Sequence, residues 1–263
     1  VNGLRVAAVG DLHCGRTSQG DLRALFEAAG AQSDVLLLCG DLTDYGLPEE
    51  ARILAKELSG AVKVPVLAVL GNHDHESGFA EEVVRILTDA GVRILEGEGV
   101  VVDGVGIAGI KGFCGGFGQR TLEPWGEEIV KRFVHEAMEE ALKLETALAK
   151  LRTRQKVAVL HYAPIAETVV GEPSEIYAFL GSSRLEEPLN RYAVSAVFHG
   201  HAHRGSLEGR IASGAPVYNV AMPLLKRSFP DRPPVRFVEI APPSDPDRER
   251  RSGVPTRRAE DRR

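Results

Sequence analysis

Cysteine is scarce in this sequence: three among 263 residues. Cys14, Cys39 and Cys114 are scattered and form no Cys-x-x-Cys pair, which excludes a disulfide framework and fits a reducing, cytoplasmic setting. Long apolar runs are missing as well. None approaches the roughly 18 residues of a membrane span, and the opening Val1-Asn2-Gly3-Leu4-Arg5 has no basic head followed by the apolar stretch of a secretory signal, so no membrane partner is expected. An excess of positive charge is also lacking. A net charge of −5 provides no global basic field for nonspecific nucleic-acid binding, so nucleic acid enters only as a substrate class.

What is present is a large apolar fraction, 43%, enough for a sizeable core in one domain over residues 1–241. Residues 242–263 hold four prolines and twelve charged residues, the composition of a disordered tail. In the first half strands and helices alternate. Leu4 to Val9, Val35 to Cys39 and Val64 to Leu70 read as buried strands, each closed by glycine. Asp21 to Ala29, Pro48 to Leu58 and Glu81 to Ala90 read as the helices between and after them. This is the grammar of βαβ units on a largely parallel sheet. Beyond Gly91, Val92 to Leu95, Val100 to Val102 and Val105 to Ile110 are short strands, with an Asp103-Gly104 turn that predicts a hairpin or meander. Lys111 to Gly126 reads as a glycine-rich loop. From Glu127 to Leu151 an apolar stripe (Ile129, Val130, Phe133, Val134, Ala137, Ala141, Leu144, Leu148, Leu151) predicts one long amphipathic helix. Val157 to Leu160, Val194 to Phe198, Val217 to Val220 and Val235 to Ile240 complete the strands, and Leu185 to Arg191 is a short helix.

Five polar stretches sit where apolar strands end: Gly10-Asp11-Leu12-His13, Gly40-Asp41, Gly71-Asn72-His73-Asp74, His161, and Gly200-His201-Ala202-His203. Ligands in open α/β sheets converge outside the carboxyl ends of strands, so these stretches are candidates for a common site. Their donors, Asp11, His13, Asp41, Asn72, His161, His201 and His203, are carboxylate, imidazole and amide without thiolate. That set suits Mn²⁺, with Fe or Zn²⁺ as the other choices. Seven ligands exceed the needs of one ion, and two ions about 3.5–4 Å apart use such a number for in-line attack on phosphorus. In Asp11-x-His13 and His201-x-His203, alternate residues of an extended segment are expected to point the same way.

The order D-x-H, G-D, G-N-H-[DE], H, G-H-x-H across residues 10 to 203 resembles the calcineurin-like metallophosphoesterase superfamily. The resemblance implies a four-layer α/β/β/α sandwich, two mixed sheets flanked by helices, with a dinuclear centre at the sheet edges. By position, Asp11, His13, Asp41 and His203 would bind one ion, and Asp41, Asn72, His161 and His201 the other, with Asp41 bridging. His73 would contact phosphate and protonate the leaving oxygen, and Asp74 would orient His73. The implied reaction is hydrolysis of a small-molecule phosphoester by in-line attack of a metal-bridging hydroxide. Diesters are favoured over monoesters because no extra domain caps the site. The other readings are a phosphomonoesterase or nuclease of the same family, or a noncatalytic scaffold.

Other residues draw weaker readings. His75 reads as an exposed loop histidine, His199 as alternating away from the metals, His135 as a surface or satisfied helix residue, and Cys14 and Cys39 as buried fillers. Phe113 or Phe117 on the glycine-rich loop is a candidate contact for a substrate ring, as are Arg16 and Tyr162 beside the ligand motifs.

Overall fold

The computed structural model describes residues 3–241; the tail expected to be disordered lies outside the described residues. The first sheet has the order β11-β1-β2-β3-β4, from β1 (Leu4–Val9), β2 (Val35–Cys39), β3 (Val66–Val69), β4 (Val92–Ile94) and β11 (Arg236–Ile240). Strands β1 to β4 run parallel, and β11 closes the edge antiparallel to β1. Because each parallel strand is added on the same side of its predecessor, right-handed crossovers place their helices on one face. These are α1 (Arg23–Gln32), α2 (Pro48–Ala61) and α3 (Ala80–Asp89), which pack side by side. Pro48 opens α2, where its missing N–H costs nothing.

The second sheet has the order β5-β6-β7-β8-β10-β9, from β5 (Glu98–Val102), β6 (Val105–Gly109), β7 (Gln155–Val159), β8 (Ala196–His199), β9 (Glu208–Arg210) and β10 (Pro216–Asn219). The expected meander is limited to the β5–β6 hairpin. Its two-residue turn, Asp103 and Gly104, has positive φ at both positions, matching the strand twist as a type I′ turn does. From β6 to β7, β8 and β10 the sheet is parallel: α4 (Glu128–Lys150) crosses from β6 to β7 and α5 (Tyr177–Leu180) with α6 (Glu186–Arg191) from β7 to β8, while the connection from β8 to β10 carries β9. Helix α7 (Met222–Ser228) and β9 have no counterpart in the sequence reading.

Side-chain alternation builds the layers. On β7, Val157 and Val159 join the core shared by the two sheets, whereas Ala158, and Leu160 just past the strand, join a second core with Leu144 and Leu148 of α4. On β8, Phe198 belongs to the first core and Val197 to the second. Phe26, Phe198, Leu36, Leu38 and Leu54 are fully buried, each contributing roughly 1.5–3 kcal/mol of transfer free energy. The result is the expected α/β/β/α sandwich. No helix among the described residues is long and apolar enough to cross a membrane.

Candidate metal centre

The two sheets turn the carboxyl ends of their parallel strands to the same end of the sandwich, where backbone bonds join them. Gly10 N–H donates to Val220 O and Met222 N–H donates to Gly10 O, tying the end of β1 to the end of β10. Pairing of β1 with β2 continues past both strands: Asp11, His13 and Cys14 N–H groups donate to Gly40, Asp41 and Leu42 carbonyls. That extension sets Asp11 and His13 beside Asp41. Motif glycines permit the close approach. A Cβ at Gly71 would overlap Asp41 Oδ1, and one at Gly200 would overlap Asp11 Oδ2.

The extended-segment expectation for Asp11-x-His13 and His201-x-His203 is corrected by the backbone. Asp11 (φ 56°), His13 (φ 43°), Asp41 (φ 47°) and His201 (φ 68°) occupy the left-handed region. The side chains converge because the chain turns back at them, not because they alternate along a strand. Such positions cost on the order of 1–3 kcal/mol each and concentrate at functional sites. Among the described residues six non-glycines have positive φ, so ligand candidates make up most of them.

The donor atoms fall into overlapping groups, each within 4.8 Å: Asp11, His13 and His203; His13, Asp41 and His73; and Asp41, His161 and His201. Tautomers follow from the neighbours. His161 Nδ1 lies 3.0 Å from the Cys39 carbonyl, which can only accept, so Nδ1 carries the hydrogen in the neutral ring. Its Nε2 lone pair then faces Asn72 Oδ1 at 2.9 Å and Asp41 Oδ1 at 3.4 Å. A lone pair against two oxygen acceptors is an arrangement a cation resolves. His201 Nε2 likewise donates to Phe179 O at 3.1 Å, freeing Nδ1. In the other group His13 Nε2 and His203 Nε2 are 3.5 Å apart, with Asp11 Oδ1 3.0 Å from His203 Nε2, and the buried His13 Nδ1 makes no hydrogen bond. Burial pulls the His13 pKa down and that of His201 to about 4. Both are therefore held in the neutral form that ligates metal. The residues present fit a cation-binding centre, and Asp41 lies between the groups: Oδ2 is 3.8 Å from His13 Nε2 and Oδ1 faces His161.

His73 packs edge-on against His13, ring centroids 4.5 Å apart. Its Nδ1 lies 2.7 Å from the Asp44 carbonyl, so Nδ1–H is the donor and Nε2 is the second, exchangeable position. Burial lowers its pKa most strongly, but the Asp44 carbonyl and the charges of Asp41, Glu76 and Asp44 together raise it above the usual histidine value. The expectation that Asp74 orients this ring is corrected. The buried Asp74 carboxylate accepts from Leu42 N, Thr43 N, Thr43 Oγ1 and Gly71 N at 2.6–3.1 Å. It ties the loop after β2 to the loop after β3, while Asp44 holds His73. Asp44 stands three residues after Asp41, a carboxylate spacing visible in the sequence. Its contribution to His73 is a main-chain atom, which residue type does not reveal.

His199 alternates away from the donors, as expected, but it supports them. It is fully buried, with Nδ1 2.8 Å from Gly200 O and Nε2 2.8 Å from Thr168 Oγ1. Asn219 Nδ2 donates to Ala202 O at 2.8 Å. Together these side chains grip two carbonyls of the turn that carries His201 and His203. Thr168→Val leaves His199 Nε2 facing a methyl group in a dry site and is expected to cost about 1–3 kcal/mol in urea unfolding. Thr168→Ser keeps the hydroxyl and should lose much less. Equal losses for the two variants would assign the effect to packing.

The remaining candidates separate clearly. Phe113 stacks edge-on with Phe133 (5.1 Å), and Phe117 packs against the cluster of Ala163, Val169, Leu180 and Ala202. Neither is the free rim contact expected, because the glycine-rich loop is fixed by bonds from Gly115 N to Ala178 O, Gly116 N to Gly181 O and Gly112 N to the buried Glu140. The Tyr162 ring lies on His201 (4.6 Å) and His161 (5.2 Å). His75 and His135 are exposed. Cys14 is buried with Sγ toward the Glu50 carbonyl, and burial, aided by the Glu50 charge, pushes its pKa up to about 12. A thiol so placed is inert.

A family model for calcineurin-like phosphoesterases matches residues 4–205. No curated protein matches the chain. Among solved structures, the phosphopantetheinyl hydrolase of Mycobacterium tuberculosis superposes with a TM-score of 0.65 at 17% identity, covering 94% of this chain and 99% of that one. A Staphylococcus aureus protein provisionally described as a 5′-nucleotidase gives 0.54 at 14% identity, covering 94% and 56%. GAP50, described as the anchor in the inner membrane complex of Plasmodium, gives 0.55 at 13% identity, covering 85% and 73%. At these identities the structural likeness carries the fold.

Proposed function

The chain belongs to the calcineurin-like phosphoesterase family, the metal-dependent phosphoesterases, and from that premise we propose that it hydrolyses phosphodiesters at a dinuclear centre. The observation that supports this most directly is the convergence of seven hard or borderline donors, from both sheets, on one end of the sandwich. Asp11, His13, Asp41 and His203 would hold one ion, and Asp41, Asn72, His161 and His201 the other. Oxygen and imidazole donors without thiolate favour Mn²⁺, then Fe or Zn²⁺. When bound, two such ions supply Lewis acidity toward phosphoryl oxygens and an activated water for in-line displacement.

The protein's own groups do the rest. His73, its Nδ1–H fixed on the Asp44 carbonyl, holds a proton at Nε2 for the departing oxygen. Asp41 accepts the His73 backbone N–H at 2.9 Å through Oδ1, which fixes the acid relative to the carboxylate shared by both donor groups. Asp74 holds the two loops that present these residues. The intact ligand set and His73 weigh against a noncatalytic scaffold role.

Two features favour diesters. His73 and His203 keep 34% and 39% of their side-chain surface open to solvent, so the cleft admits a substituent on either side of phosphorus. A monoester brings a second negative charge toward a chain of net charge −5. The likeness to a phosphopantetheinyl hydrolase and to a provisional 5′-nucleotidase suggests substrates of small-cofactor or nucleotide size. With Mn²⁺-loaded enzyme, kcat/KM for bis-nitrophenyl phosphate is expected to exceed that for mononitrophenyl phosphate. A monoester preference of about tenfold or more, some 1.4 kcal/mol at the transition state, would overturn the diester assignment.

A further inference from the structure

The carboxyl ends of β1, β2, β3, β7 and β8 lead into the metal donors, and β6 leads into a cation. Lys111 stands two residues past β6 as His161 stands two past β7. The pairing of the two strands runs on to them: Gly109 is the register partner of Val159, Ile110 N–H donates to Val159 O, and His161 N–H donates to Lys111 O at 3.0 Å. Strand ends of this kind are where open α/β sheets gather their ligands, yet the reaction proposed above gives Lys111 no part.

The Lys111 ammonium is held in place without being neutralised. Its Nζ lies 4.9 Å from the centroid of the Phe113 ring and 5.6 Å from that of Tyr162, inside the roughly 6 Å of a cation–π contact, and Phe113 is itself stacked on Phe133. One N–H donates to Gly112 O at 2.9 Å. An ammonium has three donors, so two find no protein acceptor among the described residues. Glu140 and Glu136 of α4 act on it only through their field. The Glu140 carboxylate is committed elsewhere, to Gly112 N–H at 2.8 Å and Lys143 Nζ at 2.6 Å. Lys111 is half-buried, so an anion from solution can still reach its head.

Position decides which anion that is. The Tyr162 ring beneath the ammonium lies against His201 and His161, at 4.6 and 5.2 Å between centroids, and the Lys111 charge also acts on His75, in the loop that presents Asn72 and His73. Lys111 therefore flanks the donors His161 and His201, whereas His73 packs on His13 of the other group. A substituent that stays on phosphorus, while the oxygen beside His73 departs, can extend toward this flank. The chain as a whole carries −5, so a second anion is favoured only where such an unpaired cation stands.

We propose that Lys111 is a specificity-determining residue that binds a second phosphate on the retained substituent of the substrate, a short link away from the reacting phosphorus. The inference rests on the phosphoesterase reading above and names the substrate class for it.

The test compares nitrophenyl phosphonoethyl phosphate with nitrophenyl ethyl phosphate, the same diester and leaving group with and without a phosphate-like anion on the retained side. Wild-type enzyme loaded with Mn²⁺ is expected to favour the phosphonate in kcat/KM. Lys111→Met keeps an apolar stem on the two rings and removes the charge. It should cut that preference about tenfold, the order of one hydrogen bond to a charged group, and Lys111→Arg should keep most of it. Lys111→Gln, whose amide can still donate to Gly112 O, gives the same reading should the Met variant fold poorly. Taking the ratio of two substrates cancels any general loss of turnover or metal. A wild-type enzyme that hydrolyses bis-nitrophenyl phosphate but shows no preference for the phosphonate, or turns over neither member of the pair, overturns the subsite and leaves the phosphoesterase reading standing. A preference that removal of the Lys111 charge leaves unchanged does the same. Failure to hydrolyse any of the three esters overturns both.

Discussion

Asp41→Asn is expected to lower kcat/KM by about 10³-fold or more, the largest loss from any single change at the site, since a charge set between two cations is worth several kcal/mol. The substitution is nearly isosteric. An asparagine carbonyl can keep the bond from the His73 backbone N–H while removing the negative charge that faces His13 and His161 from its two oxygens. Left-handed geometry at position 41 is tolerated by asparagine about as well as by aspartate, so the backbone should not confound the result. Elemental analysis after Mn²⁺ reconstitution is expected to find two ions per wild-type chain and fewer in the variant. Full metal content with near-normal turnover would remove Asp41 from its shared position.

His73→Ala is expected to leave metal content intact and lower turnover by about 10²–10⁴, the usual contribution of a positioned general acid. The argument turns on one proton. With Nδ1–H committed to Asp44, only Nε2 can deliver, and the carbonyl together with the carboxylates of Asp41, Glu76 and Asp44 favours the protonated ring against the effect of burial. A leaving group that departs readily as an anion has little use for that proton. The deficit should therefore shrink for nitrophenyl esters relative to alkyl esters. A deficit of equal size on both would mean that His73 orients or neutralises phosphate without giving up a proton.

The donors were legible in the sequence because each of their motifs begins at a glycine or at the end of a buried strand, a pattern set by the need to bring side chains together at strand ends. The way they converge was not. Alternation along an extended segment is the default for a D-x-H triplet, and the left-handed turns at Asp11, His13 and His201 depend on bonds to another strand and another sheet. Asp44, Thr168 and Asn219 escaped notice for a related reason. Asp44 and Asn219 act through, or upon, main-chain carbonyls, which every residue possesses, and Thr168 acts at one remove, on the His199 ring that holds such a carbonyl. The crossover from β7 to β8 was hidden: residues 163–184 fold as short 3₁₀ turns, the one-turn helix α5 and isolated bridges, which have no period to read. The long helix and the first three βα units, with regular apolar spacing, were plain, although the first helix begins at Arg23 and runs to Gln32 instead of spanning Asp21 to Ala29.

The division of the donors between the two sheets has a consequence for how the protein is made. Asp11, His13, Asp41 and Asn72 follow strands of the first sheet, and His161, His201 and His203 follow strands of the second. A chain leaving the ribosome presents the first group long before the second, and the edge partner of β1, strand β11, comes after both. No complete ligand set can therefore assemble until most of the chain has been synthesised and its two sheets have closed on each other. Metal uptake would thus come late and would report on successful maturation. Because a ligand that binds only the closed form stabilises it by mass action, metal starvation would also slacken the seam between the sheets, leaving the protein less durable as well as idle.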